Sequence, residues 1–216
     1  MKSLLSELKT SLLLTFALVV LLCGAYPLAV WAGAQVLFPA KANGSLLVDA
    51  NGTVRGSALL AQNFSSDKYF QPRPSAAGAG YDATSSGGTN LGPTSAKLAN
   101  GSHAKDASGK DVGDPGNFDG IKDLVTAYRV SNGLTDNVPV PADAVTRSGS
   151  GLDPHISLAN AQLQAPRVAR ARNLSLTQIH ALIDQSSAGR DLGVLGEPGV
   201  NVLLLNIALD QIPSGK

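Results

Sequence analysis

The hydrophobic pattern divides the chain into one long apolar run and a polar remainder. No acidic, basic or histidine side chain occurs from Thr10 to Ala40, and Leu12 to Leu22 is almost wholly aliphatic. A helix rises about 1.5 Å per residue, so about 20 such residues cover a hydrocarbon core of about 30 Å. The pattern therefore predicts a transmembrane helix over 12–34. Residues 1–11 form a short cytoplasmic N-terminus and 35–216 an extracytoplasmic domain. Tyr26 and Trp31 suit a headgroup layer, and Pro27 is expected to kink or end the helix. Lys2 and Lys9 flank one side, Lys41 and Arg55 the other, so the charge bias toward a cytoplasmic N-terminus is small. The competing reading is a long signal sequence cleaved at Ala32-Gly33-Ala34.

The polar remainder predicts a mixed domain, α+β (or α/β). Leu46-Leu47-Val48 and Val54 flank Asn51-Gly52, a pair suited to a tight turn, so 43–62 reads as a hairpin. Ala58 to Phe64 continues as a strand or short helix. Residues 71–95 are dense in Gly, Ser and Pro and read as a long functional or partner-bound loop. A flexible insertion is expected at 99–137, with a short helix over Ile121 to Val130. Asp153-Pro154 is a helix opening, with Asp as N-cap, and that helix runs to about Arg172. Ser175 and Gln178 match a capping box before a second helix, with Ile179, Leu182 and Ile183 on one face, that ends at Gly189. Val200 to Leu209 is apolar on both faces, like a strand covered on both sides.

Charge and cysteine narrow the chemistry. With 17 basic and 16 acidic residues the net charge is +1, so no field on the scale needed for nucleic acid is implied. The single cysteine, Cys23, lies in the apolar run, which excludes internal disulfides and cysteine-cluster metal sites. There is no His-Glu-x-x-His or comparable ligand set. His103 reads as solvated in the insertion, and His180 as a surface residue. Ser150, Asp153 and His155 lie close in sequence, yet the G-x-S-x-G elbow of a hydrolase is absent, and a Gly/Ser turn accounts for them. No catalytic residue is assigned. Ser86-Gly87-Gly88-Thr89-Asn90-Leu91-Gly92 is rich in backbone donors, making Ser86, Gly87, Gly88 and Asn90 candidate nucleotide contacts, although it lacks the Walker ending. Tyr69, Phe70 and Arg73, in Tyr69-Phe70-Gln71-Pro72-Arg73-Pro74, form a candidate partner surface together with Asp153 and His155. Local packing of the aromatics beneath the Gly-rich loop is the competing reading.

Taken together, the segments resemble one family, the C subunit of the Kdp potassium-transporting P-type ATPase. The resemblance rests on Tyr26-Pro27-Leu28, Phe38-Pro39, Ala42-Asn43-Gly44-Ser45-Leu46 and Gly56-Ser57 with Gln62-Asn63-Phe64. It continues through Tyr69-Phe70, Arg73-Pro74-Ser75-Ala76 and Ser86 to Gly92. Its strongest stretches are Val145-Thr146, Ser148 to Ser157, Arg167-Val168-Ala169, Gly196-Glu197-Pro198 and Asn201-Val202. No one motif carries it; their order does. The insertion is longer than usual for the family, and Arg147 and Gly199 stand where a small and a basic residue are expected.

The resemblance implies a non-catalytic, single-pass subunit of a high-affinity, ATP-driven potassium importer in the cell membrane. Its partners would be the P-type ATPase catalytic subunit, a channel-like potassium-binding subunit and membrane lipid. It would assemble and stabilise the complex and raise the ATP affinity of the ATPase subunit. No cofactor would be bound directly; ATP would enter through the partner. Two other classes remain open: a secreted serine hydrolase using Ser150 and His155, and an exported ligand-binding module using the Gly-rich loop.

Overall fold

The computed structural model describes residues 2–49, 51–103 and 117–212 and separates into two units, Met1–Ser57 and Ala58–Lys216. In the first unit, α1 (Lys2–Val19), a π-helical turn (Val20–Ala25) and α2 (Tyr26–Leu37) run on as one apolar helix. Its Ser3–Leu37 stretch has 35 residues, and none of its apolar window is buried within the chain. At 1.5 Å per residue this is about 50 Å, longer than a hydrocarbon core, so the helix outruns the 12–34 span at both ends. Pro27 does not end the helix. The turn before it widens instead, and the Tyr26 N–H bonds to the Leu21 carbonyl, five residues back.

A short α3 (Pro39–Ala42) leads to the expected hairpin, β1 (Leu46–Val48) against β2 (Val54–Ser57), antiparallel, with a bulge between Leu47 and Val48. The Asp49 carboxylate accepts the Asn51 and Thr53 amides, each at 2.9 Å, and Gly52 takes the positive φ that the turn demands.

The second unit carries α4 (Ala96–Asn100), α5 (Ile121–Asn132), α6 (Ala142–Val145), β3 (His155–Ile156) and α7 (Leu158–Arg172). After these come α8 (Leu176–Gln185), β4 (Ser187–Ala188), β5 (Gly199–Asn201) and α9 (Val202–Asp210). The three short strands form a sheet ordered β3-β5-β4 with both pairings antiparallel. Helices beside antiparallel strands make this an α+β domain. The core gathers Phe70, Ile156, Val168, Ile179, Ile183, Val200, Leu205 and Leu209 around α7. A smaller cluster joins Tyr128, Ala144 and Val145 to the apolar side of α5.

Several sequence expectations change. Ala58 to Phe64 is turn and extended chain, neither helix nor regular strand. Asp153-Pro154 does not open α7, because the Asp153 carboxylate accepts the His155 amide and β3 follows. Ser157 is the cap, accepting the Asn160 amide at 3.1 Å. α8 keeps its Ser175–Gln178 capping box but stops at Gln185, before Gly189, because Ser187–Ala188 is drawn into the sheet. Val200 to Leu209 is strand only as far as Asn201. There Asn201 Oδ1 accepts the Leu204 amide and opens a helix. A buried helix and a buried strand share an all-apolar pattern, so periodicity alone could not separate them. Part of the expected 99–137 insertion, residues 104–116, lies outside the described residues. His103 beside it is half-buried and 3.1 Å from Asp123 Oδ2, rather than merely solvated.

Candidate functional site

The site begins with α7, which buries a polar stripe. Asn160, Gln164 and Arg167 repeat at helical spacing, and all three are almost fully buried. Buried polar atoms must find partners or cost stability. Asn160 Oδ1 accepts from the Tyr128 hydroxyl at 2.8 Å and from Gln164 Nε2 at 2.9 Å. Arg167 Nη2 donates to Gln164 Oε1, its Nε to Asn132 Oδ1, and its Nη1 to the Asp67 and Tyr69 carbonyls. At the helix start, Asp143 accepts from the Ser157 amide and hydroxyl and from Asn160 Nδ2. Burial pushes the Tyr128 hydroxyl upward, so it stays a neutral donor.

The stripe holds an extended strap. Gln164 bonds both the N–H and the carbonyl of Gln71, and Asn206 on α9 does the same for Phe70. Two side-chain amides thus replace a neighbouring strand. They carry the chain directly into Pro72-Arg73-Pro74, where a missing proline N–H costs nothing.

Arg73 is delivered to a corner beside β3. Its Nη1 lies 3.0 Å from Asp153 Oδ2, and its other nitrogens reach the Thr146 and Arg147 carbonyls. His155 Nδ1 lies 3.6 Å from Asp153 Oδ1. The His155 side chain is the chief influence holding the Asp153 carboxyl down at about 2. The His155 amide and the Arg73 guanidinium support it against the opposing effect of burial. These residues share an open cleft of about 520 Å³ with Asp143, Ser157 and Glu197.

The glycine-rich loop sits on the next turn. Gly87 N–H and Ser86 Oγ both donate to the Ser150 carbonyl at 2.9 Å. Gly151 has φ +69, and a Cβ there would lie 2.7 Å from the Gly87 carbonyl, so only glycine allows this approach. A Cβ on Gly88 would lie 3.1 Å from the Gly149 carbonyl, a tight approach, while Asn90 is exposed.

The structure therefore brings Arg73, Asp153 and His155 together and sends the other two partner-surface candidates elsewhere. Phe70 is fully buried in the core and presents no contact surface; the packing alternative holds for it. Tyr69 stacks beneath Arg172, 4.7 Å from ring centroid to guanidinium, and its hydroxyl meets Asp210. Ser150 Oγ accepts the Leu152 amide, and His155 turns to Asp153, so no Ser150–His155 pair forms. Sequence reading missed Asp143, Asn160, Gln164 and Asn206. Their available signal was polar residues recurring where apolar ones should face the core. It also missed His103, Asp119 and Asp123, whose ligand atoms lie within 4.8 Å of one another at the start of α5.

Comparison with known proteins decides the family. The family model KdpC, "K+-transporting ATPase, c chain", matches residues 8–211. The chain belongs to the KdpC family. A potassium-transporting ATPase KdpC subunit of Rhodospirillum rubrum is 50% identical over 207 residues, covering 96% of each chain. That of Mycobacterium bovis is 50% identical over 187 residues, 87% of this chain and 88% of its own. That of Caulobacter sp. is 49% identical over 206 residues, 95% and 94%. As a KdpC chain this is an accessory subunit of a potassium-transporting ATPase, not its catalytic subunit. The one candidate membrane span among the described residues fits a single-pass protein.

Proposed function

We propose that this chain anchors and assembles a high-affinity potassium import complex, joining a P-type ATPase subunit to a channel-like potassium-binding subunit. The observation that carries this reading is an unburied apolar helix of 35 residues in a chain similar to KdpC subunits along nearly its whole length. The N-terminus is cytoplasmic and the α+β domain extracytoplasmic, in keeping with Lys2 and Lys9 before the span. The Arg73–Asp153–His155 corner is the partner-facing part of the domain. His155 is exposed there, while Arg73 and Asp153 hold the backbone beneath it.

ATP acts through the partner ATPase subunit. Any influence of this chain on ATP affinity is indirect, since the Gly87 amide and Ser86 hydroxyl of the glycine-rich loop are already spent on the Ser150 carbonyl. The test is a tagged pull-down from detergent-solubilised membranes of potassium-starved cells. Recovery of a P-type ATPase chain and a large polytopic chain, with this protein's N-terminus intact, is the expected result. Recovery of this chain alone, soluble and trimmed near Ala34, would overturn it.

A further inference from the structure

The π-helical turn and Pro27 together leave the Leu22 carbonyl, inside the membrane, without a backbone donor. Along Val20–Ala25 the helix closes onto the fifth residue back, as the Tyr26 N–H to Leu21 carbonyl bond shows. In that register the next carbonyl, Leu22, faces the nitrogen of Pro27, which carries no hydrogen. The chain has no acidic, basic or histidine side chain between Lys9 and Lys41, and every window of about 20 residues in that interval contains Leu22. Wherever the hydrocarbon core falls on this helix, the carbonyl lies within it. An unsatisfied carbonyl is costly there, and helices broken near proline normally recover the bond from a neighbouring Ser or Thr, a water or another helix.

This chain has no such neighbour of its own. No Ser, Thr, Asn or Gln lies between Thr15 and Gln35. Cys23, Tyr26 and Trp31 are the only side-chain donors in that interval. None of them makes a hydrogen bond among the described residues. Leu22 is exposed, and a Cβ built on Gly24 in the same turn would meet nothing within 4 Å. Another backbone can therefore come close.

We propose that the Leu22 carbonyl is a docking point for a polar donor, a side-chain hydroxyl or amide, on a transmembrane helix of a partner subunit. The π turn and Pro27 then act as a directional contact in an otherwise featureless apolar span, fixing rotation and depth of the helix against its neighbour. This rests on the complex proposed above and names what the anchor recognises within it.

The single cysteine makes the carbonyl addressable. In a chain carrying 13C-carbonyl leucine and 15N cysteine, only the Leu22–Cys23 peptide contains both labels. Solid-state NMR would follow that one carbonyl in the full-length chain alone in phosphatidylcholine vesicles, and again after assembly with unlabelled partner subunits. The expected result is a downfield shift on assembly, the mark of a gained hydrogen bond. In Pro27→Ala, whose new N–H occupies the carbonyl, the shift on assembly disappears. Partner recovery in detergent should also fall about three-fold, the weight of one average interhelical bond.

An unchanged carbonyl in a fully assembled complex would overturn the proposal while leaving the accessory-subunit reading intact. A carbonyl already shifted in the lone chain would also overturn it, assigning the donor to water, lipid or a second copy. Failure of the partners to assemble at all would instead remove the reading on which it rests.

Discussion

Gln164 spends all four of its hydrogen-bonding positions inside the protein, on the Gln71 amide and carbonyl, Asn160 and Arg167. Replacing it with leucine would leave the backbone of the strap and the Arg167 guanidinium short of partners. The expected cost is about 3 kcal/mol, read as a fall in urea midpoint with an unchanged slope. Asp153 makes a pH-dependent contribution. Its carboxyl is held at about 2, below the ordinary aspartate value, so the folded state releases this proton more readily than the unfolded chain does. The stabilisation is fully present above about pH 4 and is lost as pH falls toward about 2. For this partly exposed group it amounts to about 1 kcal/mol after solvent screening. Asp153→Asn should therefore lower the urea midpoint at pH 6, and the gap to wild type should narrow below about pH 4 and close only below about pH 2. Arg73 and His155 were legible beside Asp153 because charged residues flanked by Pro and Gly stand out in a sequence. Asn160, Gln164 and Asn206 were not, because an amide looks alike on the surface and in the core until its partners are known.

Among the elements, helix starts were readable where the cap acts alone. Ser175 and Gln178 satisfy each other's backbone neighbours within α8, and Ser175→Ala should cost about 1 kcal/mol by thermal or urea unfolding. Ser157 caps α7 and also donates to Asp143, so Ser157→Ala should cost more, about 2 kcal/mol. Equal losses at the two sites would mean that the Asp143 bond adds nothing. Asp153-Pro154 misled because the pair suits a helix start, but the Asp153 carboxylate accepts the His155 amide ahead of β3 and is engaged by Arg73, a residue far away in sequence. The Val200 to Leu209 segment misled for a different one. Asn201 both pairs with His155 in the sheet and caps α9, and its Nδ2 holds the Ala58 carbonyl. Only those contacts place the change from strand to helix.

At the scale of the whole molecule, the described core residues of the larger unit all lie within that unit's own chain, from Phe70 to Leu209. A fragment beginning at Ala58 should therefore be soluble without detergent and melt cooperatively by circular dichroism; an aggregated or non-cooperative fragment would contradict this. The sequence by itself determined the apolar span, the hairpin at Asn51-Gly52, the α8 cap, the α+β character and the family resemblance. Each of these depends on residues close in the chain, or on motif order, and needs no knowledge of distant contacts. Tertiary structure alone decided that Phe70 is core rather than surface, that two side-chain amides take the place of a strand beside the strap, and that Ser86 and Gly87 close onto Ser150. In each case the deciding partner lies tens of residues away, and burial makes its hydrogen bonds obligatory.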